Sequence, residues 1–330
     1  MIWVKQKCPL HFSWSEFEWF RNLYYQFATR YPYTSMDSFT LKPFHWFTIG
    51  ALVLAHLACS PVQQSGANLA EEKLMDVKYG PYERNLMDVY LPAHRGDSTP
   101  FVLLIHGGGW VGYGKENIRE YQDILLANGI AVASINHRYA NDSTVHYQEM
   151  VADGEAALDY CADHAEQWHT RNNYFAVTGV SSGGHLALMT GYLSPQKINA
   201  IVEFSAPTNV ADTALLNYTR RVGLLDLIQK MTGKVYQTNT RPDDAYFEAS
   251  PVNHVKKEIP VLIIHGDADP VVPYVQALEL NQKLESAGAV HKLVTLPNAG
   301  HSLQPQDSVL RDTMYSEAVN WILKYGTPWY

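Results

Sequence analysis

Three short segments, far apart in the chain, carry side chains suited to nucleophilic attack on an acyl group. The first is Gly179-Val180-Ser181-Ser182-Gly183. A Gly-x-Ser-x-Gly pattern arises by chance in about one chain in ten of this length at average residue usage, so its setting must carry the weight. Here the apolar run YFAVTGV (174 to 180) leads in and HLALMTGYL follows, which puts Ser181 on a sharp strand-to-helix turn. Flanking glycines keep such a turn free of colliding side chains, and the helix behind it aims unpaired N–H groups at developing negative charge. Ser182 is the rival nucleophile, but it would need a glycine at position 180, which is valine.

The second segment is His106-Gly107-Gly108-Gly109-Trp110, after the apolar run FVLLI. Consecutive glycines let backbone N–H groups approach a substrate oxygen, and donors held ready for an oxyanion are a large catalytic contribution. Gly108 and Gly109 are expected to donate, with the N–H of Ser182 as the third. A glycine-rich turn also suits phosphate, but no Lys-Ser/Thr pair follows here.

The third group supplies acid and base. His265-Gly266-Asp267-Ala268-Asp269 follows the run VLIIH, and Asn298-Ala299-Gly300-His301-Ser302 follows the run KLVTL. A carboxylate can fix the tautomer of a histidine that takes the serine proton. Asp269 is the expected acid and His301 the base. Asp267 is the runner-up acid, with a role in the turn as its other reading. The chain has 14 histidines, so position rather than residue type selects His301. His106, His185 and His265 sit beside glycines and read as loop-holding residues. Trp110 and Tyr113, just after the glycine loop, are candidates to stack on a sugar or aryl group, with packing as the alternative.

These loops need a scaffold. Residues 74 to 79 and 85 to 91 alternate apolar and polar side chains, as an antiparallel pair at a sheet edge would. Six near-continuous apolar runs follow at 101 to 106, 130 to 135, 174 to 180, 200 to 204, 261 to 265 and 292 to 296. Such runs suit strands covered on both faces. Helix-like stretches lie between them at 117 to 128, 148 to 168, 182 to 193 and 274 to 287, and 308 to 324 closes the chain. The reading is one α/β domain over 74 to 330: a doubly wound, mostly parallel eight-stranded sheet with helices on both faces. All three chemical segments then lie on loops at the carboxyl ends of strands. Residues 205 to 248 form an insertion that would cover the pocket. Within it, 215 to 233 reads as one Leu-rich helix, either a cap or a helix packed on the sheet.

The first 58 residues have another character. Residues 44 to 59 are apolar and uncharged behind Lys42, and the core of the run is too short to span a membrane. This pattern resembles a signal peptide. Leu57-Ala58-Cys59-Ser60 resembles the lipobox of bacterial lipoproteins, although His56 stands where an aliphatic residue is usual. An ordinary cleaved signal or a buried helix are the alternatives. Residues 1 to 35 fit no export pattern, and a start at Met36 would make sense of the segment. Residues 59 to 73 then form a polar tether. The expectation is an exported protein, periplasmic or on the outer membrane, with membrane contact through lipid on Cys59.

A formal net charge of −8 argues against nucleic acid as a partner. Cys8, Cys59 and Cys161 contain no Cys-x-x-Cys pair, so a thiolate metal site is not supported. No disulfide is expected, because two of the three lie in the targeting segment.

Taken together, DVYLP (88 to 92), HGGGW (106 to 110), GVSSGGHLA (179 to 187), ASPVNHV (249 to 255), HGDADPVVP (265 to 273) and AGHS (299 to 302) resemble the esterase/lipase branch of the α/β-hydrolases. The combination is most similar to the bacterial feruloyl and acetyl-xylan esterase-like (BD-FAE-like) carboxylesterases. Hormone-sensitive-lipase-like carboxylesterases and kynurenine formamidases share several pieces. The resemblance implies hydrolysis of small or carbohydrate esters through an acyl-enzyme, without metal or organic cofactor. Two departures stand out: Ser182 replaces the usual alanine, and Asn136-His137-Arg138-Tyr139 replaces the usual Asn-Tyr-Arg, leaving the role of that loop open. The alternatives are an arylformamidase-like or peptidase C–N hydrolase, and a non-catalytic protein on the same fold.

Overall fold

The continuous apolar runs form the centre of one sheet. The computed structural model describes residues 69–302 and 306–326, and residues 65–330 form one compact unit. Its strands are β1 (Glu72–Lys78), β2 (Leu86–Leu91), β3 (Phe101–Ile105), β4 (Ala131–Ile135), β5 (Phe175–Val180), β6 (Ile198–Phe204), β7 (Val261–Gly266) and β8 (His291–Leu296). They lie in the order β1-β2-β4-β3-β5-β6-β7-β8. β1 pairs antiparallel with β2, and β2 antiparallel with β4. Every later pairing is parallel.

The helices are α1 (Arg119–Ala127), α2 (Tyr147–Asp163), α3 (Ala165–Trp168), α4 (Ser182–Leu193), α5 (Thr213–Arg221), α6 (Leu225–Thr232), α7 (Asp244–Glu248), α8 (Val275–Ala287) and α9 (Ser308–Tyr325). Successive side chains of a strand point to opposite faces, so β3 feeds two cores. Phe101, Leu103 and Ile105 join α2, α4 and α8 through Met150, Leu186 and Leu280. Val102 and Leu104 join α1 and α9 through Leu125, Met314 and Ile322. The sheet is therefore covered on both faces, as the unbroken apolar runs require.

Three differences from the sequence expectation have physical causes. β8 is an edge strand and only partly buried, because β7 pairs with one side and, among the described residues, no strand pairs with the other. The domain begins before residue 74: the Leu69 carbonyl accepts from the His94 N–H, and the Ala70 carbonyl accepts from Arg95. The Leu-rich stretch 215 to 233 is two helices rather than one. α5 and α6 are separated at Gly223, whose φ of 78° is the left-handed conformation that ends a helix. The apolar run at 44 to 59 and Cys59 lie outside the described residues. Among the described residues, no helix is long and apolar enough to cross a membrane.

Candidate active site

The turn between β5 and α4 holds Ser181 at φ 55° and ψ −122°, a backbone strain of about 1–3 kcal/mol for a residue with a side chain. The turn is so tight that its glycines have no substitute. A Cβ on Gly179 would lie 2.2 Å from the Gly183 carbonyl oxygen, and one on Gly183 would lie 2.2 Å from that of Ile105. Both obstacles are backbone and cannot swing aside. The Ser181 N–H donates to the Phe204 carbonyl (2.7 Å), which ties the turn to β6.

His301 and Asp269 come from the loops after β8 and β7. The Ser181 Oγ lies 2.8 Å from His301 Nε2, and His301 Nδ1 lies 2.7 Å from Asp269 Oδ2. An ionised carboxylate only accepts, so Nδ1 carries the ring proton and Nε2 is free to accept from the serine hydroxyl. Asp269 is held from behind as well. Its Oδ1 accepts from the N–H groups of Val271 (2.8 Å) and Val272 (2.9 Å). Burial alone would push its carboxyl up; hydrogen bonds from His265 and His301, the His301 charge and the Val271 N–H outweigh this and hold it well below the usual carboxylate range. Asp267 takes no part in this chain of bonds: its Oδ1 accepts from the Asn298 N–H, pinning the His301 loop to the β7 loop.

Sequence reasoning assigned His265 only a loop-holding part, and that part is present: Nε2–H donates to the Val272 carbonyl (2.9 Å). The same nitrogen is also 3.4 Å from Asp269 Oδ2, so Asp269 sits between two imidazoles. Only the position of His265 four residues before Asp269 hinted at this.

The glycine loop after β3 runs beside Ser181. Gly108 has φ 112° and Gly109 φ 60°, and a Cβ on Gly108 would lie 2.1 Å from the Gly112 carbonyl oxygen. The Ser182 N–H opens α4 and has no intrahelical partner. Trp110 is not among the walls of the open cleft, but it borders a narrow apolar space beside Ser181. It is 4% exposed, and its indole N–H donates to His185 Nδ1 (3.2 Å). His185 Nε2–H in turn donates to the Ala249 carbonyl (2.8 Å). Burial holds the His185 imidazole down to about 4 and therefore neutral, which leaves Nδ1 as the acceptor that Trp110 needs. Tyr113, by contrast, is 67% exposed and lines the mouth of the cleft.

The loop 136 to 139, whose role the sequence left open, props the glycine loop from outside. Asn136 Oδ1 accepts from the Lys115 N–H, and the Tyr139 hydroxyl donates to the Tyr113 carbonyl. His137 stacks on His106 at 4.6 Å. Arg138 pairs with Asp153. Asp88 of the DVYLP segment meets Lys115 in an ion pair (2.8 Å) with both side chains buried.

Ser181 opens to a cleft of about 600 Å³, walled by Tyr113, Asn117, Glu120, Tyr121, His301 and Tyr315 among others. A narrow apolar arm of about 50 Å³ also starts at Ser181. Leu224 and Leu227 border both spaces. Leu224 and Leu227 lie in the Leu-rich stretch expected either to cap the pocket or to pack on the sheet, whereas Asn117 and Tyr315 carried no sequence signal, because the chain pattern does not tell a cleft wall from a core. No cluster of metal-ligating side chains occurs among the described residues.

The BD-FAE family model matches residues 87–284. Esterase LipC of Mycobacterium tuberculosis is 28% identical over 251 residues, covering 70% of this chain and 60% of LipC. The chain spans 60% of the length of LipC and 49% of that of LipM, a probable carboxylic ester hydrolase of the same organism, and less of some other relatives it matches. A truncated carbohydrate esterase from gut microbiota superposes with a TM-score of 0.63 at 22% identity, over 79% of this chain and 98% of that one. Propionate-bound esterase 2 of Thermogutta terrifontis superposes with a TM-score of 0.59 at 21% identity, over 77% of this chain and 94% of that one. The family match covers more than half of the chain, from β2 to the body of α8, and includes the glycine loop, Ser181 and Asp269; with the eight-stranded α/β-hydrolase fold, it makes this protein a member of the BD-FAE family.

Proposed function

We propose that the protein is a serine carboxylic-ester hydrolase, acting through a Ser181-His301-Asp269 triad on acetyl or feruloyl esters of plant polysaccharides. One observation carries this reading: the unbroken hydrogen-bond line from Asp269 through His301 to Ser181, at the foot of an open cleft and beside a glycine loop. The named esterases among the similar proteins support the ester linkage.

In the first step the Ser181 Oγ–H proton passes to His301 Nε2 as Oγ bonds to the acyl carbon. Backbone N–H groups of Gly108, Gly109 and Ser182 receive the oxyanion. The bond to the alcohol oxygen then breaks, and that oxygen takes the proton from Nε2. In the second step a water gives its proton to Nε2 and attacks the acyl-enzyme; the acid leaves and the proton returns to Ser181. The ionised Asp269 stabilises the imidazolium in both steps and never needs to be protonated itself.

Ser181→Ala removes the nucleophile and little else. Hydrolysis of p-nitrophenyl acetate is expected to fall by ~10⁴-fold or more, with an unchanged thermal transition. Full turnover by that variant overturns the assignment.

A further inference from the structure

The two spaces that meet at Ser181 are unequal, and His301 tells them apart. It lines the wide cleft and is not among the walls of the narrow arm. In the proposed acylation the departing oxygen must collect the proton held on His301 Nε2, so the alcohol has to lie on the His301 side. The carbonyl oxygen is taken by the backbone N–H groups of the glycine loop and Ser182. One substituent of the acyl carbon remains, its acyl side chain, and one space remains at Ser181 for it: the narrow arm between Gly109 and Ser182.

That arm is short and apolar. Its far walls are Leu215, Ile228 and Val272, and its flank toward the cleft is Leu227. About 50 Å³ holds about three or four water-sized groups. The one- to three-carbon side chain of an acetyl to butyryl group fits this space. A feruloyl side chain, an aromatic ring on a vinyl linker, is several times too large for it. The wide cleft is more than ten times as roomy at about 600 Å³, and it carries the hydroxyl, amide and carboxylate groups of Tyr113, Tyr315, Asn117 and Glu120 on its walls. Its character suits a bulky, hydroxyl-rich alcohol such as a sugar chain.

We propose that the narrow arm is an acyl subsite limited to two to four carbons, and that Leu227 sets this limit. A Cβ on Gly109 would lie 2.8 Å from Leu227 Cδ1, so this side chain already abuts the glycine loop and leaves no slack for a longer chain to pass. Of the two ester classes named above, the acetyl ester is the substrate and the feruloyl ester is not. The inference rests on the Ser181 acyl-enzyme reading and adds the direction in which an ester lies across it.

The test measures kcat/KM of the whole chain on p-nitrophenyl acetate, butyrate, hexanoate and octanoate and on methyl ferulate, for the unaltered protein and Leu227→Ala. The unaltered protein is expected to lose tenfold or more between butyrate and hexanoate and to leave methyl ferulate intact. Leu227→Ala is expected to raise the hexanoate-to-acetate ratio at least tenfold. If that variant fails to fold, Leu227→Val is expected to raise the same ratio about threefold, and Leu227→Phe to lower the butyrate-to-acetate ratio. Hexanoate or ferulate preferred over acetate by the unaltered protein, or ratios indifferent to residue 227, would sink the acyl-subsite inference while the esterase reading stands. No turnover of any ester would sink the esterase reading first.

Discussion

At Ser181 the backbone is strained and the neighbours are fixed, so small changes in the acid should have large consequences. Asp269 accepts three hydrogen bonds, two from loop N–H groups and one from His301, and has the His265 ring 3.4 Å away. An amide in its place must present an NH₂ either to the Val271 and Val272 N–H groups or to His301. In the second case His301 turns its proton to Nε2, where it can no longer accept from the serine. Asp269→Asn is expected to lower kcat on p-nitrophenyl acetate by ~10³–10⁴-fold. A loss below tenfold would place the essential acid elsewhere. Asp267, already engaged by Asn298, is the residue whose replacement would then matter.

Between elements, the site depends on bonds that join segments distant in sequence. The glycine loop, helix α4 and the segment at Ala249 are linked by one line from the Trp110 indole through His185 to a backbone carbonyl. The segments HGGGW, GVSSGGHLA and ASPVNHV, far apart in the chain, thus touch in the fold. Trp110→Phe keeps most of the packing and removes the donor, leaving His185 Nδ1 buried and unpaired. Such a loss costs about 1–3 kcal/mol. Thermal denaturation should report that destabilisation, and kcat/KM on p-nitrophenyl acetate should fall as the oxyanion donors loosen. A variant as stable and active as the unaltered protein would show that the line does not hold the loop.

For the whole molecule, the buried ionisable groups set how stability varies with pH. Burial keeps His137 and His185 down at about 4, against an ordinary 6.5, and His106 well below it. The unfolded chain binds these protons first, so the stability they confer is present above pH 6.5 and is lost as pH falls toward 4. Glu203 has the opposite sign. Burial lifts its carboxyl from 4.5 to about 7, so the folded protein holds a proton that the unfolded chain has released, and stability rises as pH falls through that window. His265 shares the sign of Glu203, because, despite burial, the Asp269 carboxylate and the Glu203 charge lift it above 6.5, but below pH 6.5 it is protonated in both states and adds little. Each group contributes up to about 1.4 kcal/mol per pH unit, and in that range three histidines outweigh Glu203. The melting temperature is therefore expected to drop from pH 7 to pH 5. Glu203→Gln removes the opposing contribution and should steepen that drop. An unchanged slope would mean that Glu203 is ionised in the folded state.

Much of this architecture was legible in the chain because its signals are local. Unbroken apolar runs fall on β3 to β7 since covered strands need no polar face, and glycines mark turns where any Cβ would strike backbone. The order of serine, acid and base follows from which strand each loop ends. Contacts between distant segments left no such mark. A tryptophan beside a glycine loop reads the same whether it stacks on a sugar or bonds to His185. A leucine-rich stretch does not announce that Gly223 will split it, or that Leu227 will border both the cleft and the arm while Ile228 lines the arm alone. Asp269's second imidazole and the unequal arms at Ser181 arise from packing between separate loops, and that packing depends on three-dimensional distances that no spacing along the chain encodes.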